Sequence, residues 1–152
     1  MRKIFQYLSV VLIFVAGNTW AAEAEDILGL WLTQDGKAKV QMFQCDNKYC
    51  GKIVWLKDIN YRPGEREGFD GQPRVDHNNP DEKRQNRSIL GLQIVKDLQF
   101  NDGKWSGGEI YDPKNGKSYR CKTSLSENNK LNIRGYIGFS LFGRTSQWQR
   151  VE

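Results

Sequence analysis

The side chains able to do chemistry in this chain are few and far apart. His77 is the single histidine and could act as a general base, but no Ser or Cys nucleophile stands beside it in a recognisable arrangement. Asp76, Asn78 and Asp81 cluster oxygen ligands around it, yet the glycine turn and far-end bidentate Glu of a calcium loop are missing. Zinc would need more ligands than Cys45 and Cys50 supply, with His77 on a distant loop. The expectation is therefore no catalytic residue, no metal and no cofactor. Binding chemistry is better provided for. Trp55, Tyr111, Tyr119 and Tyr136 offer apolar faces with polar edges, and Arg134 or Arg144 could meet an acid or a phosphate. Such a set could hold a small lipophilic ligand, an acidic one included, if the fold brings it together.

Hairpins are the elements that would have to do so. Asp35-Gly36-Lys37, Asn101-Asp102-Gly103-Lys104 and Asn115-Gly116-Lys117 stand between apolar stretches. Asp-Gly and Asn-Gly accept the positive φ of tight hairpin turns, so each reads as a corner between antiparallel strands. Strands are expected near 27–34, 38–44, 51–57, 89–100, 104–112, 117–126, 130–137 and 144–151. Turn signals about every ten residues indicate an all-β sandwich or barrel. Alternation is clear where Lys39 and Gln41 oppose Val40 and Met42, and where Asn132 and Arg134 oppose Leu131 and Ile133. That phase argues against Arg134 and Tyr136 pointing inward. Ile53-Val54-Trp55-Leu56 is apolar on both faces, so its outside calls for a cover or a partner subunit. Gly107-Gly108, Gly135 and Gly138 interrupt strand sequence, as bulges and barrel bends do.

The opening residues carry a different message. Arg2 and Lys3, an apolar core from Leu8 to Ala16, and small residues from Ala21 to Ala24 have the form of a secretory signal peptide. We expect residues 1–22 to be a leader, cleaved between 21 and 24, and 23–152 to be one domain. Its apolar core is about half of the roughly 20 residues that a membrane span requires. The remaining chain has about two thirds of its unfolded surface to bury and no transmembrane segment. Basic residues number 23 against 18 acidic ones; without Arg2 and Lys3 the balance is 21 to 18. That scattered, mildly basic character argues against a nucleic-acid partner, which would want the charge on one face. Cys45 and Cys50 bracket four residues, Asp46 to Lys48 and Tyr49, and a staple there suits an oxidising, periplasmic or extracellular compartment. Cys121 is then a buried thiol, although pairings that use it are also open.

Between the third and fourth strands lies a long connection, Asp58 to Ser88. Asn79 as N-cap, Pro80 at the first helical position and Glu82 three residues after the cap predict a short helix over 80–86. At the two ends of the chain, Gly29-Leu30-Trp31 and Trp148-Gln149-Arg150 would become neighbours in a closed meander. Trp31 could then lie beneath a guanidinium and pin the closure, with Trp148 and Arg150 on the last strand.

A Gly-x-Trp on the first strand with an Arg on the last resembles the signature of lipocalin-like, or calycin, barrels. The wider pattern is similar to the bacterial family known as domain of unknown function 2147. It runs from Trp31 and Asp35-Gly36-Lys37 through Cys45 and Cys50-Gly51-Lys52-Ile53-Val54-Trp55-Leu56. It continues through Asp76, Asn79-Pro80-Asp81, Arg84, Arg87 and Leu90-Gly91-Leu92, then Trp105, Gly107-Gly108, Ile110-Tyr111-Asp112-Pro113 and Tyr119. It closes on Arg134-Gly135-Tyr136-Ile137-Gly138, Gly143-Arg144-Thr145 and Trp148-Gln149-Arg150. Two departures are Ser88, where a proline is expected, and a longer stretch from Asn60 to Phe69. The resemblance implies an exported, eight-stranded, up-and-down antiparallel barrel and supplies no mechanism.

An eight-stranded barrel is just wide enough to be filled by side chains or to hold one small ligand. The leading expectation is an exported binding or carrier protein for a small lipophilic molecule. The alternative is a non-enzymatic structural or interaction protein with a filled barrel, working through an outer apolar surface around Val54 and Leu56 or as a homodimer.

Overall fold

Hydrogen-bonding groups at a sheet edge need partners, and this chain satisfies them by closing the sheet on itself. The computed structural model describes residues 22–126 and 128–151. The expected leader, residues 1–22, lies almost wholly outside the described residues. Among those described, the strands are β1 (Gly29–Leu32), β2 (Ala38–Cys45), β3 (Lys48–Leu56), β4 (Gln93–Asn101), β5 (Lys104–Asp112), β6 (Lys117–Ser126), β7 (Lys130–Tyr136) and β8 (Arg144–Val151). Each pairs antiparallel with the next, and β8 returns to β1, so the expected eight-stranded closed barrel is the one observed. The Asn101-Asp102-Gly103-Lys104 corner works as its composition predicts, with φ of 50° at Asp102 and 71° at Gly103.

One end of the barrel is solid. Trp31, Val40, Val95, Leu98, Trp105 and Leu131 are all completely buried there. A 3-10 turn over Ala24–Ile27 folds beneath them as a plug. Its carbonyls satisfy two buried indoles: Trp31 Nε1 donates to Ile27 O at 2.9 Å, and Trp105 Nε1 to Ala24 O at 3.1 Å. The same turn shortens β1 relative to expectation. Arg150 lies over the Trp31 ring at 4.2 Å and donates to the carbonyls of Leu28, at 2.7 Å, and Asp26. This approach needs Gly29, whose φ is 120° and whose Cβ, were there one, would stand 2.8 Å from Arg150 Nη1.

Three local expectations change. The predicted 80–86 helix is instead a 3-10 turn over Glu82–Arg84, capped by Asp81, whose side chain accepts from Lys83 N. Asn79 stands two residues further back: its side-chain oxygen accepts from Asp81 N at 2.9 Å, turning the chain into the cap, while its Nδ2 donates to Asp76 and Tyr111. Second, β3 starts at Lys48, across a two-residue turn in which Asp46 has φ 52°. Cys45 therefore faces Lys48 and Cys50 faces Phe43. The Cys45–Cys50 disulfide joins diagonal positions 5.9 Å apart at Cα rather than facing ones. Third, Lys39 pairs with Trp55 but Val40 with Ile53, leaving Val54 as the extra residue of a bulge. The bulge returns Leu56 to the interior, 9% exposed, and leaves only Val54 and Trp55 outside. Leu56 is thus no part of an outer apolar surface, and Lys39 Nζ covers Trp55 at 5.0 Å.

Cys121 is the free cysteine and is buried, in phase with the inward Thr123. Burial alone pushes its thiol up to about 12, so it stays protonated and poorly nucleophilic at neutral pH.

Candidate functional site: the open end of the barrel

The opposite end is not filled. A cup of about 1700 Å³ opens between the β1–β2, β5–β6 and β7–β8 connections and the long 57–92 connection. Its apolar wall is made by inward positions of successive strands: Ile53 and Leu56 on β3, Ile110 on β5, Ile133 on β7 and Trp148 on β8. Polar groups interrupt it: Tyr119 beside Ile110 and Ser146 beside Ile133, with Tyr136 and Arg144 toward the mouth. Gly135 also faces the cup, where a Cβ would come to 3.4 Å from Ile110 Cγ2 and Tyr119 Cβ. The absence of a side chain there widens the cup rather than permitting an unusual backbone.

The residues expected from sequence to contact ligand fall in different places. Tyr119, Tyr136 and Arg144 line the cup. Arg144 does so because it pairs with Gly135 in the β7–β8 ladder, two residues on from the inward Ile133 and Ser146 pair. Tyr111 reaches the rim, but its hydroxyl is already engaged, as described below. Trp55 sits on the barrel exterior. Arg134 is also exterior, its guanidinium donating to Ser140 O at 2.7 Å, Leu141 O at 2.9 Å and Thr145 Oγ1 at 2.9 Å. Of the three closure residues, Trp31 and Arg150 meet directly, whereas Trp148 lies on the cup floor opposite Leu131. Ile53, Leu56, Ile110 and Ile133 were not singled out from sequence as site residues, although the alternation through Leu131 and Ile133 is a usable signal for that wall.

What holds the cup open is a lock around Asp76. Its carboxylate is completely buried and accepts from Tyr111 OH at 2.7 Å, Asn79 Nδ2 at 2.8 Å and Arg87 Nε at 2.8 Å. Arg87 Nη2 adds a second contact at 2.7 Å. Four donor contacts around one buried charge are what such a group needs to be tolerated away from water. Burial, followed by the hydrogen bond to Asp76, raises the pKa of Tyr111, so the phenol stays a donor. Asn78 Nδ2 adds bonds to the carbonyls of Pro113 and Lys114 at 3.1 and 2.8 Å. The long connection is thereby fastened to the β5–β6 hairpin. Within it, Tyr61 is buried beside Phe69 and accepts or donates a 2.8 Å hydrogen bond with His77 Nδ1. His77 is thus a structural partner at the cup rim, and among the described residues no group of acids, cysteines and histidine is placed to hold a metal ion.

A second tie crosses the mouth itself. Lys114 Nζ reaches Asp35 Oδ2 at 2.7 Å, linking the β5–β6 corner to the β1–β2 corner. Partial burial works against the Asp35 charge, but hydrogen bonds from Lys114, Thr33 Oγ1 and Lys37 N outweigh it and lower the carboxyl from 3.8 to about 2. A depressed folded-state value means that the tie contributes fully above the unfolded value and is lost as pH falls from about 4 to about 2. A carboxyl-detected NMR titration should place Asp35 near 2 in the wild type and move it back toward 3.8 in Lys114→Gln. An unchanged midpoint in that variant would show that the two corners do not meet.

A closed eight-stranded antiparallel barrel, solid at one end and hollow at the other, is a lipocalin-like architecture. A solved structure of a protein from the human pathogen Helicobacter pylori, described as belonging to the lipocalin family, matches it with a TM-score of 0.68. The two are 24% identical, over 82% of each chain. Residues 29–150 match the family described as "Uncharacterized protein conserved in bacteria (DUF2147)", and the chain belongs to that family. No curated protein matches this sequence.

Proposed function

We propose that this protein is an exported binding or carrier protein of the bacterial envelope, without catalytic activity, for a small lipophilic molecule with an acidic end. The observation that carries the reading is the cup of about 1700 Å³, large enough for a ligand of ordinary size. Its floor of Trp148, Ile53, Ile110 and Ile133 suits an apolar body. Tyr119, beside Ile110, and Arg144, two residues nearer the mouth than Ser146, suit a carboxylate or phosphate. The leader-like first residues and the Cys45–Cys50 disulfide support export. The open upper half weighs against the filled-barrel alternative.

The direct test uses protein taken from its native source without refolding, which in native mass spectrometry should retain a passenger mass. In parallel, a fluorescent long-chain fatty acid should bind the emptied protein. Gly135→Val places two methyl groups in the cup and should weaken that binding by about fivefold to a hundredfold, because overpacking costs on the order of 1–3 kcal/mol. The β circular-dichroism signal should remain, since valine suits a strand. A clean apo mass together with fatty-acid affinity unchanged by Gly135→Val would discard the carrier reading.

A further inference from the structure

Four of the most exposed large apolar side chains among the described residues share one short loop. Ile137 is 69% exposed, and Phe139, Leu141 and Phe142 are each 79% exposed. The loop joins β7 to β8 at the open end, and Ile137 and Phe142 also border the cup. Scattered exposed apolar residues need no explanation, but a contiguous group does. The backbone here is held from behind. Arg134 donates to the carbonyls of Ser140 and Leu141, and Lys122 Nζ to Ser140 Oγ at 3.0 Å. A 3-10 turn over Ser140–Phe142 then presents the side chains to solvent.

Charge says what this tip would meet. Lys122, Arg134 and Arg144 flank it, and none of the three is in an ion pair among the described residues. Between residues 113 and 151 the sequence contains eight Lys and Arg residues and a single acid, Glu127. Two copies meeting tip to tip would bring Lys122, Arg134 and Arg144 of each together, none of them offset by an ion-pair partner among the described residues. An anionic lipid surface complements both features at once, taking apolar side chains at the acyl boundary and cations at the phosphate level.

The geometry points to the 137–142 loop as a membrane-docking tip that seats the barrel, mouth first, on an anionic lipid leaflet. Phe139, Leu141 and Phe142 enter the interface, while Lys122 and Arg134 lie at the headgroups. The cup then opens toward the bilayer, so a lipophilic ligand passes between lipid and protein without crossing water. That last consequence rests on the carrier reading; the docking does not.

The full chain, as the cell produces it, is mixed with ligand-free vesicles and floated. Binding is expected to vesicles containing phosphatidylglycerol and not to vesicles of phosphatidylcholine alone. Phe139→Ser with Leu141→Ser, neither of which borders the cup, should weaken partitioning at least about tenfold. Lys122→Gln should weaken it roughly fivefold and reduce its salt dependence. Phe139→Trp should be quenched by brominated lipids. Absence of vesicle binding, or binding that the double serine variant retains, overturns the proposal. So does self-association in the absence of vesicles that this variant abolishes, which would assign the tip to a second copy of the chain. Fatty-acid binding measured without vesicles separates the two ideas: if it is absent while flotation persists, the carrier reading falls and the docking stands.

Discussion

Replacing Trp31 with alanine is expected to lower the free energy of unfolding by about 3–5 kcal/mol, the range for deleting a buried tryptophan side chain. That is a large part of the roughly 5–15 kcal/mol that holds an ordinary domain folded. The indole does three things at once. Completely buried, it fills the solid end of the barrel; its Nε1 satisfies the Ile27 carbonyl; and its face carries the Arg150 guanidinium at 4.2 Å. Arg150 in turn donates to Leu28 and Asp26, so losing the ring removes support from the contact that joins the first strand to the last. Trp31→Phe keeps an apolar ring but leaves the Ile27 carbonyl without its donor, a penalty of about 1–3 kcal/mol. Urea titrations followed by circular dichroism measure both. A cost below about 1 kcal/mol for Trp31→Ala would mean that barrel closure is sustained elsewhere.

Arg87→Met is expected to destabilise by about 2–3 kcal/mol and to release the long connection from the barrel rim. Removing one partner of a buried ion pair typically costs about 3–5 kcal/mol. The lower figure applies because the Arg87 side chain is 36% exposed while Asp76 is completely buried. The variant leaves a carboxylate with two donors, Tyr111 and Asn79, and no cation. Hydrogen exchange should report it most directly at the Asp76 amide, which donates to Arg87 O at 2.9 Å. Pairing the change with Asp76→Asn removes the uncompensated charge, so the double variant should recover part of the loss. If it is no more stable than Arg87→Met alone, the charge is not what the arginine answers. The effect also bears on binding, because the segment held by this lock forms one side of the cup.

Much of the architecture could be read directly from the chain. The corners at Gly36, Gly103 and Gly116 depend on residues adjacent in sequence, and strand alternation repeats every second residue, so both signals are local. The pairing of Trp31 with Arg150 was also legible, because closing a meander leaves its first and last strands no other neighbours. The short helix was misread for a related reason: Asn79 does accept a backbone N–H, from Asp81, but its Nδ2 is held by a buried carboxylate of the same connection and a tyrosine from β5, and the turn that follows is capped by Asp81 and runs only over Glu82–Arg84.

Residue types and their order, then, were enough to read eight antiparallel strands and a candidate Cys45–Cys50 staple, since turn chemistry and two-residue periodicity act over a few positions; closure of those strands into a cylinder was an expectation from the family resemblance. Register and volume belong to the folded chain. One extra residue at Val54 moves Leu56 from the outer surface to the cup wall, and the ladder puts Arg144 inside while Arg134 stays outside. Whether the cylinder is filled or hollow depends on how eight strands and one long connection share the same space. That sum of side-chain volumes around a closed ring has no local signature.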